Sequence, residues 1–413
     1  MQLKTKTNRI ELVDALRGFA ILCIVLLHNM ERFGFDYSLQ ELPLWVKNLD
    51  KKVMFTAYFL FSGKAYAIFA LLFGFSFYIQ NNSQQLQGKD FRFRFFWRMF
   101  LLLIFGFINT AFYHGDILIL YAIFGLILIP ICNLSNKTIF MIALILMAQP
   151  IEMGRFFYGI INPDFVPSPN LSTSYYKETE AYMNNDNFFD YIIGNVTVGK
   201  AASLLWSWED GRFMQIPALF LLGFLAGRKQ LFIIKDTTII FWKIVFKYAI
   251  VLFVTLALFI FFLTNIIKRP ALLNPLFVTF FSWANIAFML FLVAGFILLF
   301  QKSIYNNILN KLVPYGKMGL TNYILQSIAG STLYYKYGFG LYKYIGPFYG
   351  LFIGIALFLI NLSFCKWWLK AHKQGPLEYL WSRATWINFN HNNGTSSNLS
   401  ISSVNKTDAV KNI

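Results

Sequence analysis

Hydrophobic residues fill long stretches of this chain, and short polar or basic segments separate them. An α-helix of roughly 20 apolar residues is long enough to cross about 30 Å of hydrocarbon. The pattern therefore predicts an all-α, polytopic helical membrane protein with about ten transmembrane helices. The predicted spans cover approximately residues 10–30, 58–80, 97–112, 117–132, 138–153, 213–228, 241–264, 276–300, 317–335 and 346–366.

The polar connections indicate how these helices are oriented. Lys and Arg are more numerous in the connections that an inside N-terminus would place in the cytoplasm, so the positive-inside rule favours N-in and C-in. The connection at about 156–211 is then extracytoplasmic. Residues 387–413 are rich in Asn and Ser and are predicted to form a disordered cytoplasmic tail after a transmembrane domain over residues 1–386.

Composition agrees with this class of protein. Hydrophobic residues make up 57% of the 413 residues and aromatic residues 19%, more than in ordinary soluble domains. The net charge of +17 is spread over short loops, so it predicts contact with membrane lipids and no nucleic-acid partner. We expect a multi-pass protein of a bacterial cytoplasmic membrane. The sequence leaves a homodimer open.

A polar bend joins the predicted spans at 97–112 and 117–132, and it contains His114, Gly115 and Asp116. Ionisable residues at membrane depth predict a functional site. His114 is a candidate base whose tautomer Asp116 would fix. The alternative is that Asp116 only caps the following helix. The sequence has no His-x-x-x-His, Cys-x-x-Cys or paired Glu motif, and we predict no metal site.

The first predicted span carries polar residues at both of its ends. Asp14 and Arg17 are three residues apart, so they share a helix face and can form an ion pair. That pair either locks the bundle or presents Arg17 to an anionic substrate such as a coenzyme phosphate. His28 and Asn29 lie at the opposite end, near the expected level of His114, and are further candidates for catalysis.

Other polar residues are candidates for substrate binding. Lys64 lies near the outer end of the second predicted span, where it could also be a headgroup anchor. Arg212 closes a segment with two Trp residues and two carboxylates, a composition that also occurs in aromatic interface belts. Asn322 and Gln326 are one helical turn apart, and the alternative for them is interhelical hydrogen bonding.

Several of these motifs resemble a known family when they are taken together. They are Asp14-Ala-Leu-Arg17-Gly-Phe-Ala, Leu71-Leu-Phe-Gly74, Gly115-Asp116-Ile-Leu, Leu222-Gly223, Gly316-Lys-Met-Gly-Leu-Thr-Asn-Tyr-Ile-Leu-Gln326-Ser and Gly375-Pro-Leu-Glu-Tyr-Leu-Trp381. Over residues 9–386 the chain resembles the YeiB-like bacterial membrane family, whose C-terminal region, here about 225–386, is called domain of unknown function 418. That family is distantly similar to transmembrane acyltransferases, including the lysosomal heparan-glucosaminide acetyltransferase.

The resemblance implies an acyltransferase that uses acyl-CoA as co-substrate. An acyl group would move from cytoplasmic acyl-CoA to a hydroxyl or amine of a small-molecule or glycan acceptor outside. Asn29 matches an Asn of those relatives and His114 is the candidate for their catalytic His. Many members of the family instead carry a His where this chain has Asn109, so His28 is an alternative base. A transporter or lipid flippase, and a non-catalytic scaffold, are the other two hypotheses.

Overall fold

The computed structural model describes residues 10–34 and 43–387, and within them it is helical throughout, with no β-strand. The predicted all-α class is confirmed. The predicted disordered tail, apart from Ile387, lies outside the described residues. The first ten helices are α1 (Glu11–Met30), α2 (Leu44–Leu60), α3 (Ala65–Gln85), α4 (Arg92–Phe112), α5 (Leu118–Gly125), α6 (Leu128–Ile131), α7 (Asn136–Met147), α8 (Pro150–Ile161), α9 (Leu171–Met183) and α10 (Phe188–Gly194). The remaining helices are α11 (Lys200–Glu209), α12 (Arg212–Arg228), α13 (Asp236–Ile266), α14 (Pro270–Phe300), α15 (Ser303–Leu309), α16 (Val313–Lys317), α17 (Gly319–Tyr334), α18 (Pro347–Ala371) and α19 (Pro376–Thr385).

Five helical segments of the described residues are long and apolar enough to cross a membrane, and the bent pair α7 and α8 would make a sixth. The five are Leu44–Gln85, Arg92–Phe112, Asp236–Ile266, Pro270–Phe300 and Pro347–Ala371. These apolar helices indicate a membrane protein. The expected number of about ten spans is not confirmed.

Short or bent helices explain much of this difference. The span predicted at 58–80 is not affected, because it lies within Leu44–Gln85, which satisfies the length criterion although Gly63, whose φ of +76° favours glycine, separates α2 from α3. The run at 117–132 forms two short helices, α5 and α6. Helices α7 and α8 meet at 45° beside Gln149, whose φ is +52°. Helices α12 and α17 have only 17 and 16 residues.

The segment predicted as an extracytoplasmic connection contains three helices of its own. Helix α9 packs against α11, and a π-helical turn over Asn195–Gly199 joins α10 to α11. The same turn also packs against α4, next to the bend that carries His114. This helical layer therefore covers the bend.

Helix α1 lies at the centre of the bundle, packed against α3, α16, α17 and α18. Most of its residues are buried. Because it is 20 residues long, α1 carries Arg17 near its first end and His28 near its last. One rigid helix therefore connects the two ends of the molecule where the candidate site residues lie.

Helices α3 and α12 approach each other closely because each has a glycine at their crossing. A Cβ atom at Gly74 would overlap the carbonyl oxygen of Phe220, and a Cβ atom at Gly223 would overlap that of Leu71. Only hydrogen at both positions allows this backbone approach. The motifs that contain these two glycines thus have a packing role.

Candidate functional site

The bend between α4 and α5 is held by the Asp116 carboxylate. Its Oδ1 accepts a 2.8 Å hydrogen bond from the Asn109 amide, and its Oδ2 accepts a 3.1 Å bond from the Ile119 N–H in the first turn of α5. The Lys200 ammonium, from α11, donates to the Asp116 carbonyl at 2.7 Å and lies 3.9 Å from Oδ2. Asp116 therefore caps α5 and pairs with Lys200, and these contacts engage both of its carboxylate oxygens.

The ionisable groups around this bend are buried deeply enough for their pKa values to shift. Burial raises the pKa of Asp116, and the nearby Lys200 opposes that shift. Burial likewise lowers the pKa of Lys200. The pKa of His114 falls to about 4, mainly because of burial, with a smaller contribution from the Lys200 charge. His114 is therefore a neutral imidazole near pH 7.

His114 and His28 line the same cavity, which has a volume of about 580 Å³ and which we call the His114 cavity. The His28 ring lies 4.7 Å from the Tyr113 ring, centroid to centroid, and the His114 ring lies 5.9 Å from that of Tyr176. Two histidines that are 86 positions apart in the sequence thus face one space bordered by aromatic rings.

The His114 cavity also contains charged groups. Among the described residues that line it, Glu31 is the one carboxylate, and Arg212 is one of the cations. The Tyr58 hydroxyl hydrogen-bonds to Glu31, and burial raises the pKa of that carboxyl to about 7. The sequence singled out Arg212, and the structure places it in the cavity. Glu31 was missed, although it follows directly after the polar end of α1.

Asn29, Lys64 and Asp116 do not line the His114 cavity, although the sequence predicted them at this end of the molecule. Asn29 donates to the Val25 carbonyl at 2.8 Å and accepts from the Tyr334 hydroxyl at 3.2 Å, so it links α1 to α17. The Lys64 ammonium lies 3.5 Å from the Tyr58 carbonyl and 5.6 Å from the centroid of the Phe288 ring. Asp116 lies behind the cavity wall and is 1% exposed.

A second cavity, of about 730 Å³, lies at the opposite end of α1, and we call it the Arg17 cavity. Arg17 forms a 2.8 Å ion pair with Asp14, as the spacing predicts, and donates to the Ser76 hydroxyl at 3.1 Å. Arg98 also lines this cavity, with its guanidinium 3.6 Å from the Trp381 ring centroid. Both arginines belong to a space with mainly apolar walls.

Asn322 and Gln326 line neither cavity. The Asn322 amide donates to the Tyr315 carbonyl at 2.9 Å and contacts the Cys365 sulfur, which matches the interhelical alternative. Gln326 is fully buried, and neither of its side-chain polar atoms has a hydrogen-bond partner within the described ranges.

Tyr323 borders both cavities. Its hydroxyl accepts a 3.3 Å hydrogen bond from the Ile117 N–H, three residues after His114. Beside it, the Tyr121 hydroxyl donates to the Tyr66 carbonyl at 2.7 Å, and these two residues line the Arg17 and His114 cavities respectively. The two cavities therefore meet at a wall of tyrosines. In the sequence, Tyr323 is marked only by its place in the Gly316–Ser327 motif.

No group of three or more His, Cys, Asp or Glu side chains that could hold a metal ion occurs in residues 10–34 or 43–387. Both cavities are lined by arginine, tyrosine, serine and carboxylate side chains, with histidine in the His114 cavity and amides and Lys317 in the Arg17 cavity. The chemistry that these groups offer is anion binding by guanidinium and proton transfer by imidazole.

The helices and cavities define an all-helical protein of the membrane class, and comparisons with known proteins show what it is similar to. Residues 226–388, the C-terminal part of the chain, match the family described as "Protein of unknown function (DUF418)". The resemblance to the YeiB-like family is thereby confirmed.

Three relatives are similar to the chain over nearly its full length. The chain is 28% identical over 407 residues to "Uncharacterized protein YeiB" of Escherichia coli (strain K12), covering 90% of this chain and 95% of that one. It is 26% identical over 416 residues to "Uncharacterized protein YxaH" of Bacillus subtilis (strain 168), covering 93% and 96%. An "Uncharacterized 39.9 kDa protein in amylase 3'region" of Bacillus acidopullulyticus is 26% identical over 392 residues, covering 92% and 94%. No solved structure matches the chain.

Proposed function

We propose that this protein is a membrane-bound acyltransferase. It moves an acyl group from cytoplasmic acyl-CoA to a hydroxyl or amine of a small-molecule or glycan acceptor outside the cytoplasmic membrane. The observation that carries the proposal is the meeting of two cavities at Tyr323, because one contains Arg17 and Arg98 and the other contains His28 and His114.

The Arg17 cavity supplies the binding chemistry for the coenzyme. Guanidinium groups bind phosphate through charge-assisted hydrogen bonds, and the cavity offers those of Arg17 and Arg98. Its apolar walls suit the pantetheine arm and the acyl chain. The thioester carbonyl would then lie at the Tyr323 wall, within reach of an acceptor in the His114 cavity.

The His114 cavity supplies the base. His114 accepts the proton of the acceptor hydroxyl or amine, whose oxygen or nitrogen bonds to the thioester carbonyl carbon. The carbon–sulfur bond breaks, and the coenzyme leaves as a thiol after it takes up a proton. His28 lines the same space and is the alternative base. In this proposal Asp116 positions the His114 bend, and Asn29 positions α1, without contact to the reacting atoms.

Purified protein incubated with acetyl-CoA labelled in the acetyl group tests the proposal. We expect the protein to release coenzyme. Arg17→Gln should slow this release through a higher KM, and His114→Ala should slow it through a lower kcat. Arg92→Gln is the matched control for Arg17, because Arg92 is exposed and pairs with Asp90. Coenzyme binding or release equal in all variants would remove both residues from the mechanism.

A transporter is the second candidate, because two cavities in series at a narrow wall also fit a translocation path. Transport requires that a solute cross Tyr323 intact, whereas acyl transfer requires that only the acyl group cross. Solute flux into liposomes with no consumption of acyl-CoA would favour transport.

Replacement of Lys200 by Met is expected to change the pH dependence of acyl transfer. The positive charge of Lys200 lowers the pKa of His114, so its loss raises that pKa and moves the acid limb of the rate profile to higher pH. Loss of the hydrogen bond to Asp116 also costs roughly 1.5–3 kcal/mol of stability. The pH–rate profile of detergent-purified protein measures the first effect. Lys177→Met, an exposed change on α9, should leave the profile unchanged.

A further inference from the structure

Arg212 is the first residue of α12, and it lines the His114 cavity. It is only 9% exposed. Its guanidinium carbon lies 3.9 Å from the Trp206 ring centroid and 4.3 Å from that of Tyr66. A guanidinium contacted by two aromatic rings keeps a fixed plane and a fixed direction.

The hydrogen bonds of Arg212 use only part of its guanidinium. Nε donates to Asp210 at 2.9 Å. Within the described parts of the chain, Nη1 and Nη2 donate no hydrogen bond and form no ion pair, although the Arg212 charge opposes the rise in the pKa of Glu31 on the same cavity wall. Asp210 balances part of the charge, and the donors that face the cavity remain available to an anionic ligand.

The surroundings hold this open pair of donors in place. The Tyr66 hydroxyl is itself hydrogen-bonded to the Gln215 side chain, and Gln215 donates to the Ser282 carbonyl at 3.2 Å. Tyr66 is therefore anchored to α12 and α14, and Asp210 fixes the opposite edge of the guanidinium. A preorganised group of this kind binds its ligand with little loss of conformational entropy.

We propose that Arg212 binds an oxyanion group, a carboxylate or a phosphate, carried by the acceptor in the His114 cavity. The two parallel N–H donors of Nη1 and Nη2 match two oxygens of such a group. This inference rests on the proposed function, because it takes the ligand of the His114 cavity to be the acyl acceptor. It adds that this acceptor is anionic. The oxyanion fixes the molecule at Arg212 so that another of its groups faces His28 and His114.

Three sugars with the same ring test the charge requirement: glucose, glucuronate and glucose 6-phosphate. Binding is measured by the shift in thermal unfolding of detergent-purified protein, without acyl-CoA. We expect at least one anionic sugar to bind at least tenfold more tightly than glucose. The comparison of glucuronate with glucose 6-phosphate decides between carboxylate and phosphate. Equal shifts for all three sugars, or no shift for any, would overturn the proposal.

Variants assign the binding to this residue. Arg212→Gln should reduce the affinity for the anionic sugar at least tenfold, and Arg212→Lys, which keeps the charge but not the paired donors, should retain part of it. Arg155→Gln and Arg92→Gln, which alter arginines outside both cavities, should bind as the unmodified protein does. Unchanged affinity in Arg212→Gln would contradict the proposal. The binding experiment contains no acyl donor. Its result therefore remains valid even if the protein does not catalyse acyl transfer.

Discussion

Replacement of His114 by alanine is expected to lower the rate of acyl transfer by about 10²–10⁴-fold, the usual contribution of a positioned general base. The imidazole lies in the cavity wall in a neutral state, so its loss removes the proton acceptor. Steady-state release of coenzyme from labelled acetyl-CoA measures the effect. Binding of the coenzyme in the Arg17 cavity should not change.

His372→Ala is the matched control for this prediction. His372 is exposed, stacks on Trp368, and lines neither cavity. The His372→Ala variant should therefore catalyse acyl transfer at the rate of the unmodified protein. Normal turnover of His114→Ala with a strong defect in His28→Ala would assign the base to His28 instead. Normal turnover in both variants would exclude imidazole catalysis.

Replacement of Gly223 by leucine is expected to prevent stable folding. The added Cβ would overlap the Leu71 carbonyl oxygen, and backbone atoms cannot move aside as a flexible side chain does. Overpacking usually costs about 1–3 kcal/mol, and a collision with backbone is expected to exceed that range. The yield of monodisperse protein and its thermal unfolding temperature measure the result.

Gly154→Leu provides the matched control, because a Cβ at Gly154 of α8 meets no atom within 4 Å. The same substitution in another helix should therefore be tolerated. If the Gly223→Leu and Gly154→Leu variants both unfold at the same temperature as the unmodified protein, the result would contradict the close packing of α3 against α12.

The sequence predicted the helices better than it predicted their ends. Helices such as α13 and α14 are long and apolar, so the hydrophobic pattern alone locates them. The breaks at Gly63 and Gln149 depend on single backbone conformations inside apolar runs, and a hydrophobic pattern does not record them. The bend at Gln149, together with the short helices α5, α6, α12 and α17, makes the predicted number of spans exceed the number of helices that satisfy the length criterion within the described residues.

The candidate site was only partly predictable, because its contacts join distant parts of the chain. The spacing of Asp14 and Arg17 is local, and their ion pair was predicted. The partner of Asp116 is Lys200, 84 residues away, which no local pattern indicates. The position of Tyr323 between two cavities was also not predictable from a local pattern, because it follows from the packing of α17.

Inside-out bacterial membrane vesicles that contain the protein allow the most direct test of transfer between the two cavities. Acetyl-CoA is added to the medium with one label in the acetyl group and another in the coenzyme. We predict that the acetyl label enters the vesicles while the coenzyme label stays outside, and that Arg17→Gln and His114→Ala reduce this separation. Entry of both labels together, or consumption of neither, would contradict the account.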